Sequence, residues 1–181
     1  RKNVLSTVEF RSSMEVIDNF LKEEDFSVIE KAFSDTDVPS DVGWFFSTIV
    51  GSEAEKVSHP NHFYFIHTLY SEDVIRSNFF NIMRPFFKKL EIKSLVRAKV
   101  NLFLRTEQLY KFDSHIDWHH EANVAILYIN TCDGGTFIEG DNPQFVKSVR
   151  NRLLRFKTTT PHSSSTCTDK KFRMIINLNY F

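Results

Sequence analysis

His115-Ile116-Asp117 puts an imidazole and a carboxylate two residues apart. In an extended segment, residues i and i+2 project from the same face, so the two side chains can grip one ion together. His162 can supply a third donor from further along, between a strand expected to end near Phe156 and the last strand of the chain. Two histidines and one carboxylate leave three octahedral positions open, which suits an Fe(II) that must bind a cosubstrate and O2 together. A zinc ion carrying one water accepts the same donors. However, the H-E-x-x-H helix motif that often holds such a zinc is absent, and Glu121 is the only nearby candidate for the base a zinc hydrolase needs. His119, two residues past Asp117, competes as a donor by the same-face argument.

Arg173 adds a second kind of chemistry. It stands at the head of Met174-Ile175-Ile176-Asn177-Leu178, an apolar strand in which a guanidinium is costly to bury without an anion. A guanidinium offers a rigid fork for one carboxylate. The distal carboxylate of 2-oxoglutarate would satisfy it, while the 1-carboxylate and keto oxygen chelate the metal.

The elements that must position these groups follow from periodicity. Met14 to Leu21 alternates like a short strand, and Lys22 to Phe33 carries Phe26, Val28, Ile29 and Phe33 as one helical stripe. Asp35 to Asp41 is turn-rich, and Gly51 to Pro60 is polar and reads as a loop. Gly43 to Val50 and His62 to Tyr70 are aromatic and β-branched, so both read as strands whose Trp44-Phe45-Phe46 and Phe63-Tyr64-Phe65 belong to the core. Asp73 to Leu90 reads as one helix bent at Pro85, with Val74, Ile75, Phe79, Met83, Phe86 and Phe87 buried. Short strands follow at Leu95–Leu104, Ala122–Asn130, Thr136–Glu139, Phe145–Val149, Arg152–Phe156 and Phe172–Phe181. Helices first and many short strands afterwards indicate an all-β core, a jelly roll braced by N-terminal helices on one face. Asn101 and Phe103 share one face of the strand before the metal motif and can point into the same pocket.

The composition agrees with a folded, soluble chain of one domain spanning 1–181. Hydrophobic residues are 41% and charged residues 25%, with 19 Phe against only 5 Gly and 5 Pro, which favours a Phe-filled core over disorder. Lys+Arg and Asp+Glu are equal at 23 each, so no global field steers the protein toward nucleic acid or an anionic membrane. No apolar run has the length of a membrane span, and Arg1 to Arg11 has no apolar stretch of signal-peptide type. Cys132 and Cys167 read as free thiols, which points to the cytoplasm.

Taken together, His115-x-Asp117, Asn123-Val-Ala-Ile-Leu-Tyr-Ile-Asn130, Gly134-Gly135-Thr136-Phe137, Pro161-His162 and Arg173 resemble, in order, the prolyl-4-hydroxylase-like Fe(II)/2-oxoglutarate oxygenases. Val16-Ile17-Asp18-Asn19-Phe20-Leu21 is similar to the entry strand of that family. Arg97-Ala-Lys-Val-Asn101-Leu, Asn151-Arg-Leu-Leu154 and His162-Ser-Ser-Ser165 before Cys167-Thr168 resemble the small stand-alone oxygenases of bacteriophages and aquatic bacteria, which would place the chain in a host cytoplasm. The resemblance implies a double-stranded β-helix with His115, Asp117 and His162 on the iron. It further implies Arg173 on 2-oxoglutarate and Tyr128 reaching the same carboxylate. The implied reaction is hydroxylation of an unactivated C–H bond, with O2 consumed and 2-oxoglutarate released as succinate and CO2; ascorbate is an implied auxiliary. A protein or peptide residue such as proline is the first substrate it suggests, with a small molecule still open. Asp at 117, where a halogenase would have Gly or Ala, argues against halide chemistry. The chain departs from the family in following its motif with Trp118-His119-His120.

Several features have simpler explanations. Arg150, Arg152 and Arg155 with Lys147 and Lys157 form a basic stretch, ordinarily a solvated face and otherwise a seat for an acidic substrate. Gly134-Gly135 most simply makes a tight turn. Substrate choice would fall to Gly51–Asn61 and Lys111–Glu121. The alternative to an enzyme is a jelly-roll metal-binding or sensor protein without turnover, for which Arg173 would have no use.

Overall fold

The computed structural model describes residues 14–34, 42–48 and 59–181. In chain order these form β1 (Glu15–Ile17), α1 (Glu23–Ser34), β2 (Phe45–Ser47), β3 (Tyr64–Ser71), β4 (Val74–Ile75), a 3-10 helix (Asn78–Met83), α2 (Arg84–Lys89) and β5 (Leu95–Leu104). There follow β6 (Asn123–Tyr128), β7 (Gly135–Ile138), β8 (Gln144–Lys147), β9 (Leu153–Lys157), β10 (His162–Ser164) and β11 (Phe172–Tyr180). A major sheet runs β1-β9-β6-β11-β5-β3-β2, with β4 on β3, and a minor sheet runs β10-β7-β8. Every pairing between these strands is antiparallel.

The minor sheet gains a fourth, irregular edge. Residues 110–115 run antiparallel to β10 through bridges Lys111–Ser165 and His115–His162. Phe112 N–H donates to the Ser164 carbonyl at 2.8 Å, and Thr166 N–H to the Tyr110 carbonyl at 2.9 Å. Between the two sheets lies a core that includes Tyr64, Phe103, Phe112, Ile126, Ile138 and Phe156. The opposite face of the major sheet packs on the helices through Phe26, Ile29, Phe33, Met83, Phe86, Val100, Met174, Ile176 and Leu178. Each such buried side chain stabilises the fold by roughly 1.5–3 kcal/mol. The jelly roll with helices on one face is as expected.

Helix α1 begins with Glu23, Glu24 and Asp25, whose charges suit a helix N-terminus, and ends with Lys31 in its last turn. Phe26, Ile29 and Phe33 are buried, but Val28 of the expected stripe is exposed. The basic stretch proves to be a set of clamps on this N-terminal segment. Arg150 pairs with Glu23 and Glu30 and lies over the Phe26 ring, Arg152 pairs with Asp18, and Arg155 with Glu15.

The helix expected over Asp73–Leu90 is divided. Glu72 and Asp73 adopt φ of 53° and 57°, the left-handed pair of a two-residue hairpin turn, so Ser71 pairs with Val74 and exposes Val74 and Ile75. Ser77 then caps a 3-10 helix by accepting from Phe79 N–H, and Pro85 sits in the first turn of α2, where it lacks only an N–H that would be unpaired anyway. A second correction concerns Phe45 and Phe46. They are 70% and 63% exposed on the edge strand β2, where Phe46 stacks on Phe63. Residues 49–50 of that expected strand, the 35–41 turn and 51–58 of the expected loop lie outside the described residues.

Candidate active site

Register brings the first and third expected ligands together. His115 and His162 are direct partners of an antiparallel pair, and each donates its backbone N–H to the other's carbonyl at 2.9 Å. Directly paired residues put their side chains on one face, and the two rings lie 4.4 Å apart. Asp117, two residues on, projects alongside, with Oδ1 3.9 Å from His115 Nε2. Donor atoms of His115, Asp117 and His162 all fall within 4.8 Å of one another. His162 stands on β10, a three-residue strand for which the sequence offers little pattern.

The donor set fits a divalent metal in detail. His162 Nδ1 lies 2.9 Å from the Thr160 carbonyl and His115 Nδ1 3.3 Å from the Asp113 carbonyl. A carbonyl only accepts, so these contacts place the proton on Nδ1 and leave each Nε2 lone pair for a metal. Burial first, and then the neighbouring His162, push His115 down to about 4, with Asp117 and the Asp113 carbonyl opposing. Burial alone would raise Asp117. His162, Arg97, Lys99 and the hydrogen bond from Asn179 outweigh it and hold the carboxyl well below the usual carboxylate range. A neutral His115 beside an ionised Asp117 matches the protonation states metal binding needs.

Asp117 is itself held in place. Asn179 Nδ2 donates to Oδ2 at 2.8 Å, and an Arg97 N–H donates to Oδ1 at 3.3 Å. Phe156 packs edge-on against the His162 ring.

Below the triad, the pocket is lined by Lys99, Asn101, Phe103, Thr136, Ser164 and Asn177 among others. Arg173 lies behind its floor, fully buried. One terminal nitrogen donates to Ser164 Oγ at 2.7 Å and the Ser165 carbonyl at 3.1 Å, and the other to Thr136 Oγ1 at 3.2 Å. The Phe103 and Tyr128 rings flank the guanidinium at 5.1 Å and 5.5 Å. No carboxylate meets it among the described residues, and its Nε is buried without a partner. Such an orphan costs about 1–3 kcal/mol unless a ligand satisfies it. Tyr128 does not line the pocket; its hydroxyl hydrogen-bonds Thr136 Oγ1 at 2.8 Å, so Tyr128 and Arg173 meet at Thr136.

Gly134 allows this packing. A Cβ there would lie 2.1 Å from the Thr166 carbonyl oxygen and 3.0 Å from Arg173 Cδ, so close approach rather than a turn requires the glycine. Cys132 and Cys167 are buried and free, and the Cys167 thiol donates to the Lys170 carbonyl at 3.5 Å.

The other candidates stand apart. His119 and His120 are exposed and outside the ligand cluster. Glu121 faces Lys157 at 3.2 Å and is not among the residues lining the pocket. Thr136, Ser164, Lys99, Asn177 and Asn179 were not singled out by sequence. The available signal was parity. Asn177 and Asn179 share the pocket face of β11 with Arg173, opposite the buried Met174, Ile176 and Leu178.

No protein-family model matches the chain, and no curated protein matches it in sequence. Solved structures do. A prolyl hydroxylase from Trichoplax adhaerens, solved with a hypoxia-inducible-factor oxygen-degradation-domain peptide, superposes with a TM-score of 0.66 at 17% identity, over 94% of this chain and 84% of that one. A 2-oxoglutarate-Fe(II) oxygenase family oxidoreductase from Burkholderia pseudomallei gives 0.63 at 10% identity, over 92% and 83%. A Pseudomonas putida prolyl-4-hydroxylase gives 0.57 at 13% identity, over 93% and 92%. The chain has the jelly-roll fold of the prolyl hydroxylases and other 2-oxoglutarate-Fe(II) oxygenases.

Proposed function

We propose that this protein is an Fe(II)- and 2-oxoglutarate-dependent dioxygenase that hydroxylates a C–H bond, with His115, Asp117 and His162 holding the metal. The observation that carries this is Arg173: a fully buried guanidinium with no acidic partner among the described residues, behind Thr136 and Ser164 of the pocket that the triad also lines. A metal-binding protein without turnover has no use for it. A dicarboxylate that chelates a metal at one end and meets Arg173 at the other answers both.

The chain's own residues then have defined tasks. His115 and His162 present Nε2, and Arg97 with Asn179 fix the carboxylate of Asp117. Arg173 binds the distal carboxylate, with Ser164 and Thr136 beside it. Thr136 Oγ1 already receives the Arg173 N–H, and Tyr128 holds it from behind, which leaves Thr136 oriented to donate toward the pocket. Phe103 and Ile126 line the pocket and Phe156 packs on the His162 ring, so these side chains would keep water from a bound metal. When bound, the iron supplies O2 activation coupled to decarboxylation of 2-oxoglutarate to succinate and CO2, with ascorbate as a reductant that keeps it ferrous.

A peptide residue such as proline is the first substrate to try, because the Trichoplax neighbour was solved with a peptide. The direct test is succinate release from 2-oxoglutarate by Fe(II)-loaded protein in air. We expect slow release without substrate, no release from His162→Ala, and acceleration by a substrate peptide. Folded, iron-loaded protein that binds 2-oxoglutarate yet yields no succinate would contradict the proposal.

A further inference from the structure

Arg97, Lys99, Asn101 and Phe103 alternate along β5 and so share one face. The β5–β11 register sets Asn179 opposite Arg97, Asn177 opposite Lys99, Ile175 opposite Asn101 and Arg173 opposite Phe103. From Arg173 outward, the pocket wall therefore carries Asn101, then Lys99 with Asn177, then Arg97 with Asn179 beside Asp117. This wall is incompletely satisfied. Oδ1 of Asn101, Oδ1 of Asn177 and Nε of Arg97 are all buried without a partner. Lys99 lines the pocket with the triad, and its ammonium makes no hydrogen bond or ion pair among the described residues.

The charges do not balance either. Among the described residues Asp117 is the only carboxylate lining the pocket, and it already receives Arg97 at 3.3 Å. A divalent metal on Asp117 adds positive charge next to both cations, while the two carboxylates of 2-oxoglutarate are committed to the metal and to Arg173. Among the described residues, Arg97 and Lys99 then have only Asp117, which they share with the metal. Arg97, Asp117 and Asn179 also border a second cavity of about 300 Å³, walled by Trp118, Val96, Ser71 and Glu72. Glu72 cannot neutralise the cations, because it pairs with Arg76 at 2.8 Å. A space of that size takes a small molecule or one residue of a peptide.

We propose that Arg97 and Lys99 bind a carboxylate of the substrate, whose apolar part lies against Trp118, so that the substrate is an acidic small molecule or an acidic peptide residue. The proposal rests on the oxygenase reading and names the substrate class of that same site. A carboxylate there bridges the two cations, accepts from the unpaired Arg97 Nε–H and from the Lys99 ammonium, and anchors the substrate beside Asp117. A neutral analogue would leave Lys99 without an ion pair and Arg97 with only the Asp117 carboxylate it shares with the metal, so the site discriminates by charge.

The test is calorimetric binding to Zn(II)-loaded protein, with and without saturating 2-oxoglutarate. The probes are N-acetyl-L-proline and N-acetyl-L-leucine, each against its carboxamide, and N-acetyl-L-aspartic acid α-amide, which carries only a side-chain carboxylate. At least one acid is expected to bind ten times or more tighter than its neutral counterpart. That preference should vanish in Lys99→Met and return in Lys99→Arg, while 2-oxoglutarate affinity stays within threefold. Tighter binding of the α-carboxylates indicates a free acid, and tighter binding of the aspartate probe an acidic peptide residue. Equal binding of acids and amides, or no binding of any acid, overturns the proposal. So does a Lys99→Met variant that loses 2-oxoglutarate instead, since the lysine would then serve the cosubstrate. Wild-type protein that fails to bind 2-oxoglutarate sinks the oxygenase reading separately, and the acid preference is read without it.

Discussion

At the scale of single residues, the site stores its chemistry in groups kept from their usual partners. His115 is buried as a neutral imidazole, so its proton binds more readily once the chain unfolds. Its folded pKa, about 4, lies below the ordinary histidine value, and the unfolded state therefore takes up the extra proton. Stability from this group is fully present above about pH 6.5 and is lost as pH falls toward about 4, by up to about 3 kcal/mol. We expect urea unfolding of metal-free protein to show that loss between pH 7.5 and 4.5, and His115→Gln to show a smaller one. Arg173→Lys keeps the charge but loses the fork. It should weaken 2-oxoglutarate by about 10- to 100-fold, the worth of one or two charge-assisted hydrogen bonds, with metal affinity unchanged by titration. Equal 2-oxoglutarate affinity would refute the role given to Arg173. These residues were legible in the sequence because type and spacing single them out. Thr136 and Ser164 were not, since a hydroxyl on a strand looks the same whether it faces solvent or a guanidinium.

At the scale of elements, loops and clamps determine where the ligands stand. Asn151 has φ of 60°, and its side chain both accepts from Leu21 N–H at 2.9 Å and donates to the Leu21 carbonyl at 2.8 Å, fastening the entry of α1 to the β8–β9 turn. Asn151→Ala should cost about 2–4 kcal/mol in urea unfolding, from strain at positive φ plus two buried backbone groups left unpaired. Asn151→Gly relieves the strain and should cost less; the reverse order would mean the conformation is not what Asn151 provides. Gly134→Ala pushes on Thr166 and Arg173 together. It should therefore weaken 2-oxoglutarate binding as well as stability, although residue 134 faces no ligand. The periodic strands and α1 could be read from the sequence. The Asp73–Leu90 segment could not, because Val74-Ile75 fits a helical stripe as well as a hairpin, and the turn at Glu72-Asp73 lacks the Asn or Gly that usually marks one. The Arg150–Arg155 run was legible as charge, but its carboxylate partners are more than 100 positions away in the chain and only the fold shows them.

At the scale of the whole molecule, two cores flank the major sheet, and the metal triad stands at the open end of one of them. Neither core uses the metal as a structural member, so chelation should stop turnover while shifting the thermal midpoint by only a few degrees; unfolding on chelation would make the site structural. The strand order was not legible, because antiparallel partners such as β6 and β9, or β5 and β11, are set by register across long separations and by no local signal. The ligand order along the chain was legible, but the pairing that sets His115 beside His162 shows only in the fold. The central claim is that one small dicarboxylate spans from this triad to Arg173. It is tested most directly by anaerobic titration of Fe(II)-loaded protein with 2-oxoglutarate, following the weak visible absorption of the chelate. We expect saturable absorption in the wild type, none in His162→Ala, and saturation only at much higher concentration in Arg173→Lys. Folded, iron-loaded wild-type protein that develops no absorption would contradict the claim.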